Sequence, residues 1–120
     1  MSEHPLDRII KAFFNSWAGW KHAVATEAAV KQELVVLIIA LPAAFLLTED
    51  WWKRLALIGV LFFVLTVEFL NTAIEALCDH VRPEIHPQIK VVKDLGSTAV
   101  FLSIALALAI WFLALVERLA

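Results

Sequence analysis

The stretch "VEFLNTAIEALCD", residues 67–79, decides how this chain is read. It continues an apolar run that starts near Leu55, yet it carries Glu68, Asn71, Glu75 and Asp79. On an α-helix each residue advances about 100°. With Glu68 at zero, Asn71 falls at about −60°, Glu75 at about −20° and Asp79 at about +20°. All four share one face, while Phe62, Phe69, Ile74 and Leu77 occupy the other. An ionised acid at mid-bilayer costs about 2.5–3.5 kcal/mol on insertion scales. A lone asparagine can be absorbed by an interhelical hydrogen bond. Aligned glutamates repel each other, so the stripe points to a wet, functional crevice rather than to helix–helix glue.

The surroundings are those of a membrane protein. The 120 residues suffice for one domain, 1–120, and 62% of them are hydrophobic. The net charge of −2 argues against a nucleic-acid partner. A single cysteine, Cys78, rules out an intrachain disulfide and is read as a small buried hydrophobe. The mixed charges of "MSEHPLDRIIKAF" do not read as a signal peptide. Residues 5–24 carry Leu6, Ile9, Ile10, Phe13, Phe14, Trp17, Trp20 and Val24 at helical spacing, which predicts an amphipathic surface helix at the membrane interface. Three spans follow, at 28–48, 55–79 and 95–116, the first with Pro42 expected to kink it. The fold class is all-α: one surface helix and three transmembrane helices. "TEDWWKR", residues 48–54, reads as a tight turn with interfacial tryptophans, and residues 79–94 as a polar loop. Arg8, Lys11, Lys21, Lys31, Arg82, Lys90 and Lys93 lie on one side, against Lys53, Arg54 and Arg118 on the other. Seven against three puts the N-terminus and the 79–94 loop in the cytoplasm, where ATP is.

Mg²⁺ takes oxygen ligands, usually one or two carboxylates plus substrate phosphates. Glu75 is placed to be one ligand, and Glu27 another if the surface helix folds back. Glu68 lies about 10 Å deeper along the axis. There it suits a general base for a hydroxyl that reaches the membrane interface, such as a lipid alcohol. "KVVKDLGS", residues 90–97, is expected to set Lys93 and Asp94 at the N-terminus of the third span, where anions are favoured, with Gly96 allowing close approach. Neither G-x-x-x-x-G-K-[ST] nor G-x-G-x-x-G occurs, and three glycines cannot build a phosphate cradle, which excludes soluble kinase folds. His4, His22, His80 and His86 show no metal-ligand spacing, so zinc is not expected.

"RIIKAFFNSWAGWKHA", "TEAAVKQE", "VEFLNTAIEALCD" and "KDLGSTAV", in this order and at these separations, closely resemble the small integral-membrane diacylglycerol kinases of bacteria. The resemblance covers roughly residues 6–116. Its motif E-x-x-N-x-A-I-E-x-x-x-D is shared with undecaprenol kinases of the same superfamily. It implies transfer of a phosphoryl group from ATP, with Mg²⁺, to the hydroxyl of 1,2-diacylglycerol in the bacterial inner membrane. It also implies a homotrimer with composite sites. The residues alone say only "oligomer", because one surface helix and three spans cannot enclose both ATP and a lipid headgroup.

Carried over by position, Glu68 is the base, and Glu27 and Glu75 hold the metal. The resemblance puts Arg8, Asn15, Glu27, Asn71, Glu75, Asp79, Glu84, His86, Lys93 and Asp94 at the ATP site. It puts Arg8, Ser16, Trp17, Glu33, Glu68, Ser97 and Trp111 along the lipid path. The chain departs from the family at Asn15, where an aromatic is common, at Ala18, where a lysine is common, and at Pro83 and Pro87 around "EIH". These touch nucleotide contacts and leave the acids and Lys93 in place. Two other readings compete. An undecaprenol kinase would keep every catalytic residue and differ in its lipid pocket. A small proton-coupled transporter of this length would show four spans and one isolated membrane glutamate.

Overall fold

The computed structural model describes residues 4–81, 84 and 86–120. Four helices follow one another: α1 (Pro5–Thr26), α2 (Ala28–Leu47), α3 (Trp51–Val81) and α4 (Pro87–Leu119). No strand occurs among the described residues. The helix α1 starts where local chemistry dictates. Pro5 takes the first turn, and the His4 side chain accepts a hydrogen bond from the Leu6 amide at 3.2 Å. It ends at a single extended residue, Glu27, with φ −107° and ψ 113°. That one break turns the chain from α1 into α2 and leaves the Glu27 side chain without a capping bond.

Helices α2, α3 and α4 are each long and apolar enough to cross a membrane. Their outward faces confirm the solvent they are built for. Ile38 is 70% exposed, Phe101 69% and Phe112 68%, a display that water would penalise and lipid does not. At 1.5 Å per residue α3 and α4 run to about 45–50 Å, beyond the roughly 30 Å hydrocarbon layer. Both therefore carry helical turns out of the bilayer. The helix α3 packs most extensively on α4, less on α2, and α2 touches α4 lightly. One apolar cluster joins Ala23, Val30, Leu37 and Leu65, with Trp20 set edge-to-face on Phe69 at 5.0 Å. It seats α1 on the α2–α3 pair. A second, of Val60, Val64 and Ala107, joins α3 to α4, and there Trp111 Nε1 donates to the Leu57 carbonyl at 3.0 Å.

Three expectations need revision. Residues 79–94 are not a sixteen-residue loop: α3 runs on to Val81 and α4 begins at Pro87. A proline read from sequence as a loop former is also the favoured first residue of a helix. His86 supplies the cap, its ring nitrogen accepting from the Gln88 amide at 3.2 Å. Arg82 and Pro83 of that segment lie outside the described residues. For the same reason Lys93 and Asp94 do not stand at a helix N-terminus. They sit nearly two turns inside α4, where backbone amides are already bonded, so the helix end gives them no anion site. The second span starts at Trp51, not Leu55. Asp50 accepts from the Trp52 amide at 2.8 Å, and Arg54 is folded back to the Thr48 carbonyl at 2.9 Å. Its guanidinium lies 4.1 Å from the Phe45 ring centre and 4.7 Å from that of Trp51, which fixes the α2–α3 turn. The helix α2 is continuous through Pro42.

Candidate active site

The polar stripe of α3 exists and meets other helices. Asn71 is buried to 8% exposure, and its side-chain N–H donates to Glu75 Oε1 at 3.3 Å, one turn on. Its carbonyl oxygen is buried, has no hydrogen-bond partner among the described residues and faces Gly96 of α4. Two turns beyond Asn71, Asp79 accepts from Lys93 Nζ at 2.6 Å, tying α3 to α4 near the end of the stripe. Lys93 is also within electrostatic reach of Glu75. Its neighbour Asp94 is occupied by Lys90 at 2.7 Å.

Glu68 is the centre of this arrangement. It lies within electrostatic reach of Glu75 on its own helix and of Glu27 at the α1–α2 break. Glu33 of α2 is in reach as well, with one carboxylate oxygen buried and without a hydrogen-bond partner among the described residues. Four carboxylates thus gather where α2 and α3 emerge on the α1 side. Like charges this close are held together by the fold, not by each other, and they suit a cation. Glu27 and Glu75 offer hard oxygen donors of the kind Mg²⁺ takes. Among the described residues no three His, Cys, Asp or Glu side chains form a complete ligand group. A divalent cation here would therefore need phosphate or water to finish its shell, which is the usual Mg²⁺ arrangement.

On the other side, Glu33 and Glu68 form the polar end of a groove of about 690 Å³ between α2, α3 and α4. Its remaining walls are apolar, among them Val36, Ala40, Val64 and Ile104, with Trp111 also in the lining. Gln32 joins the polar end. The resemblance places Glu33 on the lipid path, whereas Gln32 beside it is not singled out from the sequence.

The remaining expected residues are scattered in the single chain. Ser16 and Trp17 line a shallow hollow along α1, and the Ser16 hydroxyl donates to the Ala12 carbonyl. Arg8 and Asn15 are exposed on α1 and show no side-chain hydrogen bond or ion pair among the described residues. Glu84 and His86 lie between α3 and α4, His86 engaged as the cap. Ser97 is exposed on α4.

Comparison with known proteins places the chain in a family. The sequence profile described as prokaryotic diacylglycerol kinase matches residues 14–115. The chain belongs to that family. It is a membrane kinase, and the diacylglycerol kinase of Escherichia coli strain K12 is 41% identical over 104 residues, 87% of this chain and 85% of that one. The diacylglycerol kinase of Pseudomonas aeruginosa is 40% identical over 106 residues, 88% and 86% of the two chains. That of Helicobacter pylori strain J99 is 33% identical over 104 residues, 87% and 81%. For a prokaryotic diacylglycerol kinase, Glu27, Glu33, Glu68, Asn71 and Glu75 all fall within the matched region, as do Lys93 and Asp94. Arg8 lies ahead of it.

Proposed function

We propose that this protein transfers the γ-phosphoryl group of ATP to the free hydroxyl of 1,2-diacylglycerol, giving phosphatidic acid and ADP at the cytoplasmic face of the bacterial inner membrane. The observation that carries the proposal is the position of Glu68. It belongs both to the apolar groove and to the acidic cluster. A lipid hydroxyl entering from the groove and a phosphate entering from the cluster would meet there.

Glu68 takes the hydroxyl proton as the oxygen attacks the γ-phosphorus. The new O–P bond forms, the bond to the β,γ-bridging oxygen breaks, and ADP leaves with that electron pair. Glu27 and Glu75 would hold Mg²⁺, which when bound would supply charge neutralisation for the transferred phosphate. Asn71 orients Glu75 through its hydrogen bond. Lys93 gives its ammonium to phosphate, and Asp79 holds it ready meanwhile. Arg8, Asn15, Glu84, His86 and Asp94 line the nucleotide side. Ser16, Trp17, Glu33, Ser97 and Trp111 follow the lipid, and Arg8 stands between the two. The exposure of Arg8 and Asn15 supports a site completed by a second chain in a homotrimer. The seven-to-three distribution of Lys and Arg supports a cytoplasmic site.

Val36 tests the groove because it lines it while half its surface is open, so a larger side chain fits without disturbing the core. Val36→Trp is expected to raise the KM for diacylglycerol about tenfold and to leave nucleotide affinity unchanged. An unchanged lipid KM would remove the groove as the lipid site.

A further inference from the structure

Gly96, read from the sequence as room for an anion to approach, instead sits at a close contact between α3 and α4. It is buried, and a methyl group added there would run into the Asn71 carbonyl oxygen and come to 3.4 Å from its Cγ. Of the three glycines only this one is so constrained: Gly19 and Gly59 face open space. Its backbone is ordinary right-handed helix, so the absence of a side chain serves the contact and not the fold of α4. Helix propensity alone would favour alanine here by about 1 kcal/mol.

The contact acts on one group. The Asn71 carboxamide is buried, with its oxygen on Gly96 and its N–H₂ on Glu75. The reverse orientation would set the carbonyl oxygen against the Glu75 carboxylate. At 3.3 Å the bond to Glu75 is just beyond the usual range of about 2.7–3.2 Å, so a small rotation breaks it. Released, the Glu75 carboxylate is no longer held by the Asn71 amide.

We propose that Gly96 is a positioning residue of the metal site: its missing side chain leaves the room in which Asn71 holds Glu75 as a ligand. This rests on the reading of Glu75 as a metal ligand given above. The test measures Mn²⁺ binding by electron paramagnetic resonance on the full chain in mixed micelles, with a non-hydrolysable ATP analogue present. It compares the wild type, Gly96→Ala, Asn71→Ala and the double variant. Gly96→Ala is expected to weaken Mn²⁺ binding at least fivefold and to leave the KM for diacylglycerol unchanged. Asn71→Ala weakens it similarly, and the double variant is no worse than Asn71→Ala, because the group on which the methyl acts is gone. Full-strength Mn²⁺ binding by Gly96→Ala overturns the proposal, as do additive losses in the double variant. The Asn71→Ala background vacates the space, so the double variant must fold even where Gly96→Ala alone does not; its failure to fold also overturns the proposal. A wild type that binds no Mn²⁺ with nucleotide removes the ligand reading of Glu75 and the positioning role together, whereas normal wild-type binding with an inert Gly96→Ala removes only the latter.

Discussion

Glu68→Gln is predicted to make the protein more stable and nearly inactive at once. The substitution keeps the shape of a half-buried side chain and removes one charge from a cluster that also holds Glu27, Glu33 and Glu75. Two like charges about 8 Å apart cost roughly 2 kcal/mol at an effective dielectric of 20. Solvent reaching a partly exposed cluster halves this or more, so the gain is on the order of 1 kcal/mol. Loss of a general base lowers kcat by about 10²–10⁴-fold. The stability assay is unfolding by sodium dodecyl sulfate in mild-detergent micelles at pH 8, followed by the fluorescence of the 5 tryptophans. It is run once with EDTA and once with Mg²⁺ and an ATP analogue. With EDTA the variant should unfold at higher denaturant than the wild type. With metal and nucleotide the gap should close, because bound cation offsets the repulsion. A variant less stable than the wild type in EDTA would refute the reasoning, since Glu68 would then be structural and the cluster not under electrostatic strain.

Other outcomes follow from the same contacts. Glu75→Gln should shift the Mg²⁺ titration of turnover to at least fivefold higher concentration with little change in lipid KM; an identical titration removes Glu75 from the ligands. Trp111→Phe removes the indole hydrogen bond to the Leu57 carbonyl, and unfolding should become easier by about 1 kcal/mol, the measured scale for interhelical bonds in lipid. No change there would mean that packing alone holds α3 to α4. Lys93→Met should abolish nucleotide-dependent turnover, whereas Asp79→Asn, which removes only an exposed ion-pair partner, should cost less than about 1 kcal/mol of stability.

Most of the fold could be read from period and composition. Three apolar runs and one amphipathic segment are strong signals, and the α3 face from Glu68 to Asp79 follows from 100° per residue alone. Three things could not be read that way. Pro87 and His86 look like loop residues until the proline is seen at the first turn and the histidine ring on the Gln88 amide. The helical start of α4 moved Lys93 away from any helix end and into a pair with Asp79, a contact set by how α3 and α4 cross. Gly96 is one of three glycines in the sequence, and only the crossing point makes it different from Gly19 and Gly59. The site was legible where its residues share one helix. It was not where they meet across helices, as Glu33 meets Glu68, or where a side chain such as that of Arg8 shows no partner among the described residues.

The junction of lipid groove and phosphate-binding cluster at Glu68 is tested by transfer of labelled γ-phosphate from ATP by the purified protein in mixed micelles with diacylglycerol, with undecaprenol, or without lipid. Labelled phosphatidic acid is expected in the first case, no labelled lipid in the last, and none from Glu68→Gln. Label on undecaprenol alone would keep the chemistry and replace the substrate. No labelled lipid from well-folded protein would contradict the account.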